Sequence, residues 1–141
     1  MFSFIKNITE KNKISVDDIH NIEKQYAIQF PEALVDFLVE YNGSEIFLSE
    51  IIRNGLSYEV ASLIPIKHGR LPMEKVLEWD RQDAIVKEGL IPIASDRGGN
   101  VYYLDSQTGN IIFYNVEDIE NPKLVSDSLE EFLSQMTVLV K

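Results

Sequence analysis

Residues 90–114, which read LIPIASDRGGNVYYLDSQTGNIIFY, decide the fold of this chain. The run from Leu90 to Ala94 is short and apolar, and Asp96 to Gly99 follows it as a turn. Two β-rich runs come next, Val101 to Leu104 and Ile111 to Tyr114, joined by a glycine-containing loop. This pattern predicts three strands, of which the last two form a β-hairpin. Because both hairpin runs are apolar at successive positions, we expect both of their faces to be at least partly covered.

Two helices are predicted between Ser15 and Gly43, and another is predicted after this stretch. Ser15 can cap the first, because a serine hydroxyl accepts a hydrogen bond from a free backbone N–H. Pro31 stands at the first position of the second helix, and Asn42-Gly43 ends it with residues that tolerate a left-handed conformation. The last helix begins near Asp127 or Ser128. Apolar residues recur at helical spacing in all three: Val16, Ile19, Ile22 and Tyr26; Leu34, Phe37, Leu38 and Tyr41; Leu129, Phe132, Leu133 and Met136.

The middle of the chain carries weaker signals. Glu45 to Leu48 and Tyr58 to Ile66 are predicted as strands, separated by a turn at Asn54-Gly55. A short helix is predicted from Met73 to Asp83. Its apolar residues are Val76, Leu77 and Trp79. Because the 141 residues contain no repeat, linker or low-complexity segment, we expect a single domain, 1–141.

The chain is strongly acidic, which restricts its partners. It has 13 Lys and Arg residues against 23 Asp and Glu residues, and its net charge is −10 at pH 7. Such a surface repels nucleic acid and anionic lipid, and no basic cluster interrupts it. It would attract a basic protein and accelerate the encounter with it. Two interpretations follow: the charge recruits a basic partner, or it only keeps the protein in solution.

The sequence also indicates a compartment. Cysteine is absent, so disulfides, cysteine-based zinc sites and thiol catalysis are excluded. The segment from Met1 to Glu10 is too short and polar for a signal peptide. No apolar run reaches the roughly 18 residues that a membrane span needs. We therefore expect a soluble protein of the cytoplasm.

No pattern of catalytic or metal-binding residues is visible. The two histidines, His20 and His68, have no carboxylates at metal-ligand spacing around them. No nucleophile-elbow sequence supports a catalytic serine. The glycines of Asp96 to Asn100 lack the spacing of a phosphate-binding loop and are interpreted as a turn. The prediction is therefore a protein that is not an enzyme and that holds no metal or cofactor.

Two acidic clusters are candidates for binding a partner. The first surrounds the single tryptophan and comprises Glu74, Glu78, Trp79, Asp80 and Asp83. The second follows the hairpin and comprises Glu117, Asp118 and Glu120. One interpretation is a solvated helix face, with Trp79 explained by the apolar side of the helix. The other is a protein-binding patch, because an aromatic anchor ringed by acids suits a basic partner.

The order of these segments resembles the SMI1/KNR4 family of the SUKH superfamily. The similar segments cover most of the chain: Ile22-Glu23, Phe30 to Leu38, Tyr41 to Gly43, Leu90 to Asp96, Gly99-Asn100, Tyr103 to Asp105, Ile111 to Tyr114 and Ser126 to Leu133. Two positions depart from the family pattern. Phe30 stands where the family usually has leucine, and Ser44 stands where a second glycine is common.

The resemblance implies a fold and a function. The implied fold is α+β, a mainly antiparallel β-sheet flanked by helices. Bacterial members of the family are similar to immunity proteins of polymorphic toxin systems, which bind a cognate toxin domain, often a nuclease, in the cytoplasm. The family has no catalytic residues to transfer. The resemblance therefore implies a protein toxin, basic in charge, as the partner, with no nucleic acid and no membrane.

Two other functions remain open on the sequence. The first is a regulatory protein-interaction scaffold without a toxin partner, which fungal members of the superfamily resemble. The second is an enzyme with an unrecognised pocket, which would show converging polar groups with shifted pKa values.

Overall fold

The computed structural model describes residues 1–84 and 86–141. Its helices are α1 (Val16–Tyr26), α2 (Glu32–Tyr41), α3 (Met73–Asp83) and α4 (Leu129–Gln135), and a 3-10 turn spans Glu10–Asn12. Its strands are β1 (Ile5–Asn7), β2 (Glu45–Ile46), β3 (Leu48–Arg53), β4 (Leu56–Val60), β5 (Ser62–Leu63), β6 (Leu90–Ser95), β7 (Val101–Asp105), β8 (Ile111–Tyr114), β9 (Lys123–Ser126) and β10 (Thr137–Val140).

The strands of the described residues form three antiparallel sheets. The largest has five strands in the order β5-β6-β7-β8-β9, the second has the order β10-β3-β4, and β1 pairs with β2. Every pair of neighbouring strands runs antiparallel. Helix α4 packs against β3 and β9 and meets α2. This arrangement confirms the predicted α+β fold, a mainly antiparallel sheet flanked by helices.

The predicted hairpin is formed by β7 and β8. Tyr102 lies opposite Phe113, and Tyr103 lies opposite Ile112. Neighbouring residues of a strand point to opposite faces, yet Tyr102 and Tyr103 are 0% and 3% exposed. The ring of Tyr102 lies 4.7 Å from that of Phe113 and 5.5 Å from that of Phe132 in α4. The expectation that both faces are covered is therefore confirmed, with the main core on the Tyr102 face.

The predicted starts of α1 and α4 are confirmed by their hydrogen bonds. The Ser15 hydroxyl accepts a bond from the Asp18 N–H, and the Asp18 carboxylate accepts one of 3.0 Å from the Ser15 N–H. Ser128 caps α4 by accepting a bond of 3.1 Å from the Glu131 N–H. The predicted start of α2 is wrong by one residue, because Pro31 is the N-cap and the helix begins at Glu32. The two serine caps satisfy backbone donors that have no partner within their own helix.

Asn42 has a different role from the one predicted. Gly43 adopts the left-handed conformation, with a φ of +72°, but Asn42 has a φ of −52°. The Asn42 side chain is instead buried and joins two segments. Its amide nitrogen donates to the carbonyls of Asn12 (2.8 Å) and Ile66 (3.0 Å), and its amide oxygen accepts from the Ile66 N–H (2.7 Å). Asn42 therefore stabilises the fold through long-range hydrogen bonds of its side chain, and its backbone conformation is not left-handed.

The predicted strand bounds in the middle of the chain are wrong. The structure has β3 reaching Arg53 and β4 beginning at Leu56, so the two strands flank the predicted Asn54-Gly55 turn directly. The long strand predicted up to Ile66 is divided between β4 and the short β5, because the chain leaves one sheet at Ala61 and enters another. The sequence prediction also missed β1, β9 and β10.

Candidate functional site

Helix α3 is held to the protein by one apolar side. Met73, Val76 and Leu77 are buried, with exposures of 0%, 5% and 2%. The helix ends at Ala84, whose φ of +53° is left-handed. At about 100° per residue, the remaining side chains divide between two further faces. The predicted acidic cluster around the tryptophan is therefore split in two.

Glu74 and Glu78 lie on the face of α3 that is turned towards α1. The Glu74 carboxylate accepts hydrogen bonds of 3.1 and 2.9 Å from the Lys67 N–H, and its backbone carbonyl accepts one from the Tyr26 hydroxyl. Burial raises the pKa of Tyr26, and the negative charges of Glu78 and Glu74 raise it further. Glu74 therefore has a structural partner within the chain, and neither residue lies beside the tryptophan.

Trp79, Asp80 and Asp83 lie on the opposite side, where they line a groove of about 270 Å³. We call it the α3 groove. Its other wall is formed by residues 115–122, which we call the 115–122 loop. The walls include Leu71, Trp79, Asp80, Asp83, Val116 and Ile119, and the floor includes Tyr103 and Tyr114.

The interpretation that the apolar side of α3 accounts for Trp79 is wrong. Trp79 is 47% exposed, whereas the neighbouring Val76 and Leu77 are buried. Leu71 and Val116, also in the α3 groove, are 41% and 61% exposed. Apolar side chains with this much exposure, gathered in one concave surface, are typical of an interaction site.

The floor of the α3 groove is a pair of tyrosines from the hairpin. The rings of Tyr103 and Tyr114 lie 5.4 Å apart in an edge-to-face arrangement. Strand pairing fixes this geometry, because Tyr103 lies opposite Ile112 and Val101 opposite Tyr114 on the same face of the sheet. The two rings pack with Leu90 into a small cluster separate from the main core. The sequence signal for this pair was the two-residue periodicity of the hairpin, which the sequence prediction did not use.

Asp80 connects α3 to this floor. The Tyr103 hydroxyl donates a hydrogen bond of 2.9 Å to Asp80 Oδ2. Burial raises the pKa of Asp80 above its ordinary value of 3.8, the hydrogen bond from Tyr103 opposes that rise, and the charge of Asp83 adds to it. The Asp80 carboxylate is thus only half in water, with a second negative charge beside it.

The 115–122 loop carries the second predicted acidic cluster. Glu117, Asp118 and Glu120 are exposed, and Val116 and Ile119 of the same loop line the α3 groove. Of the predicted acids, Asp80 and Asp83 line the groove, and the other three lie on the loop that forms its opposite wall.

Asn100 holds the 115–122 loop in place. Its amide oxygen accepts a hydrogen bond of 2.8 Å from the Val116 N–H, and its amide nitrogen donates one of 2.8 Å to Asp96. Asp96 also accepts from the N–H groups of Gly98 and Asn100, so the glycine-containing turn is rigidly organised. The sequence prediction of a turn is confirmed, but nothing local in the sequence indicated that the turn supports a second loop.

The acids of the α3 groove have no ion-pair partner in the part of the chain that the structure describes. Among residues 1–84 and 86–141, ion pairs involve other carboxylates, such as Glu59 with Arg97 and Asp105 with Lys87. Asp80 and Asp83, and the three acids of the 115–122 loop, have no such pair in this part of the chain. The groove therefore combines exposed apolar surface with uncompensated negative charge.

A second groove lies between α2 and α4 and also has acids at its edge. We call it the α2–α4 groove; it is lined by Phe2, Phe37, Tyr41, Leu129 and Leu133, with Asp36, Glu40 and Glu130. Its aromatic rings pack against one another: Phe37 lies 6.3 Å from Phe2 and 5.2 Å from Tyr41.

Within the described residues, no three His, Asp or Glu side chains lie close enough together to hold a metal ion. His20 lies on α1, with its Nε2 3.9 Å from a carboxylate oxygen of Glu23. In the same residues, no helix combines the length and apolar character that crossing a bilayer requires.

Comparison with known proteins gives the family. No curated protein matches the chain. The model of the SMI1 / KNR4 family (SUKH-1) matches residues 13–135, which include all four helices and the whole five-stranded sheet. Since this match spans most of the 141 residues, the chain belongs to the SMI1 / KNR4 family (SUKH-1).

Proposed function

We propose that this chain is an immunity protein that binds a cognate toxin domain in the cytoplasm and thereby neutralises it. Membership of the SMI1 / KNR4 family is consistent with this function. In this proposal residues 1–141 act as one binding domain, and the protein has no catalytic step of its own. The observation that carries the proposal is the α3 groove, where exposed Leu71, Trp79 and Val116 lie among acids that have no ion-pair partner in the described residues.

The charge of the protein supports a basic toxin, such as a nuclease. A nuclease binds phosphates through lysine and arginine, so its substrate-binding surface is positive. A protein with a net charge of −10 would be drawn to that surface at long range and could cover it. The exposed apolar residues of the α3 groove would then supply short-range contacts, which distinguish one toxin from another. Charge would set the rate of encounter, and the groove would set the specificity.

The proposal is tested by rescue of a toxin-expressing host. Toxin domains encoded beside this gene are expressed in a sensitive bacterium, with and without the protein. We expect growth to be restored only by the cognate pair, and a catalytically inactive form of that toxin to pull down the protein. The affinity of the complex should fall as salt is added, because the attraction is screened. A toxin shown to be active that is neither rescued nor bound contradicts the proposal and favours a scaffold without a toxin partner.

Charge reversal at two positions of α3 tests the location of the site. Asp83→Lys places a positive charge in the α3 groove, and Glu78→Lys makes the same change on the face turned towards α1. We expect Asp83→Lys to weaken the complex at least about tenfold, because it replaces an attraction by a repulsion at the interface. Glu78→Lys should weaken it less than about threefold, since it changes only the net charge. Equal losses from both variants would mean that the toxin binds elsewhere.

A further inference from the structure

We propose that the α3 groove binds an arginine side chain of the partner protein, whose guanidinium lies on the Trp79 indole and pairs with Asp83 and Asp80. This inference rests on the proposed function in one respect, that the partner is a protein. It names the chemical group for which the groove is built.

The carboxylates of the α3 groove are held close together without a counter-ion. Asp80 and Asp83 lie three residues apart on one side of α3, and the negative charge of Asp83 disfavours the ionised form of Asp80. Asp80 Oδ2 accepts from the Tyr103 hydroxyl, and no described residue donates to its Oδ1. A cation entering the groove would relieve this repulsion and supply donors to the oxygen that has none. The charge arrangement therefore fits a positively charged group that donates several hydrogen bonds.

The exposed tryptophan favours arginine over lysine. Trp79 lines the α3 groove and is 47% exposed. A guanidinium is planar and weakly hydrated, so it can stack on an indole while its N–H groups bind a carboxylate in a bidentate way. An ammonium is compact and strongly hydrated, and it cannot bind a carboxylate in the same bidentate way. The aromatic and acidic parts of the groove together match the guanidinium.

The α2–α4 groove is the alternative site on this molecule, and its packing makes it the poorer one. It has acids at its edge, but its aromatic rings already contact one another. Phe37 is only partly exposed, and Tyr41 is 5% exposed. A guanidinium could reach these acids but would find less open aromatic surface beside them. Asp36 of this groove therefore provides a control that matches Asp83 in chemistry.

The experiment uses Trp79 as its own reporter, because it is the single tryptophan of the chain. The intact protein is titrated with a hexapeptide of arginine and with a hexapeptide of lysine, which carry the same charge. We expect both to bind and the arginine peptide to bind at least about threefold more tightly, with a saturable change in tryptophan fluorescence. Equal affinities for the two peptides would overturn the proposal, and so would binding that leaves the fluorescence unchanged.

Variants then locate the binding. Asp83→Asn should weaken the arginine peptide about fivefold, while Asp36→Asn should change its affinity less than about twofold. Trp79→Leu, followed by calorimetry because the fluorophore is lost, should bring the two peptides within about twofold of each other. Circular dichroism and denaturation midpoints identify any variant that has lost its fold. A loss with Asp36→Asn equal to that with Asp83→Asn, or a retained arginine preference in Trp79→Leu, would refute the assignment.

These titrations need no toxin, so the two proposals can fail separately. A toxin that is neutralised by the protein and is indifferent to Asp83→Asn and Trp79→Leu would leave the immunity function standing and overturn the arginine site. An arginine preference that depends on Trp79 and Asp83, together with failed rescue, would support the site and contradict the toxin partner.

Discussion

The α3 groove and the α2–α4 groove have similar compositions and differ in how their aromatic residues are packed. In the α2–α4 groove, Phe37 lies between Phe2 and Tyr41, with centroid distances of 6.3 and 5.2 Å. In the α3 groove, Trp79 forms no ring pair with any residue of 1–84 and 86–141. Both grooves carry acids, so negative charge alone does not distinguish them.

The difference concerns which apolar surface the fold uses for its own stability. The rings of the α2–α4 groove join the packing of the N-terminal segment onto α2, and Phe2 and Phe37 contact the main core. The Tyr103–Tyr114 cluster under the α3 groove is small and separate, and Leu71, Trp79 and Val116 above it remain exposed. Contact between apolar surface and water is unfavourable, so covering that surface with a partner stabilises the complex. The α3 groove is therefore the surface from which binding would gain most.

The first way to test this comparison is to remove one ring from each groove. We expect Phe37→Ala to lower the free energy of unfolding by about 2–3 kcal/mol, because it opens a gap between two packed rings. Trp79→Ala should lower it by about 1 kcal/mol or less, since much of that larger ring is already in water. Urea denaturation measures both. A larger loss for Trp79→Ala would mean that the tryptophan stabilises the fold and is not surface reserved for a partner.

The second test concerns the wall of the α3 groove. Asn100→Ala removes the bond to the Val116 N–H and the bond to Asp96, so we expect a loss of about 1–2 kcal/mol in the free energy of unfolding. The arginine peptide should also bind more weakly, because the 115–122 loop is no longer held. Asn121→Ala is the control, since its side chain bonds only Asp118 within the same loop, and we expect a change within about 0.5 kcal/mol.

The two measurements on Asn100→Ala can also disagree, which would separate the role of the 115–122 loop in folding from its role in binding. If Asn100→Ala destabilises the protein and leaves peptide affinity unchanged, then the 115–122 loop supports the fold without forming the binding surface. The acids Glu117, Asp118 and Glu120 would then be ordinary solvated residues.

The sequence predicted local structure well because its signals were local. The Ser15 cap, the Asn54-Gly55 turn and the β-hairpin each depend on residues a few positions apart. Strands β9 and β10 were missed because each has only four residues, and their pairing with β8 and β3 is decided by tertiary contacts. The same limit explains Asn42, whose partners at Asn12 and Ile66 are distant in sequence.

The candidate site was predictable in its residue types and not in its geometry. The acids and Trp79 could be read from the sequence, and helical spacing already separated Glu74 and Glu78 from Trp79 and Asp83. Nothing local could show that the loop after β8 faces α3 across Tyr103 and Tyr114, because that depends on how α3 packs on the sheet.

The smallest expected effect is a pH-dependent one at Asp80. Burial raises the pKa of Asp80 in the folded protein above its ordinary 3.8, so the folded state binds more protons than the unfolded state between those two values. Stability therefore falls as pH rises through that window, and the penalty of the buried charge is fully present at pH 7. Asp80→Asn removes this charge and keeps an oxygen that can accept from Tyr103. We expect the variant to be more stable than the parent protein at pH 7.

The pH dependence separates this effect from simple changes in packing. The advantage of Asp80→Asn should shrink as pH falls through the folded pKa of Asp80, because the parent carboxyl is then protonated and uncharged as well. Asp18 and Asp105, whose pKa values are lowered, give the parent protein a pH dependence of the opposite sign, but they are common to both proteins and cancel in the difference. Paired urea titrations at several pH values measure that difference. A difference that does not change with pH would show that the Asp80 charge is already compensated, and the α3 groove would then lack the uncompensated charge on which the arginine site depends.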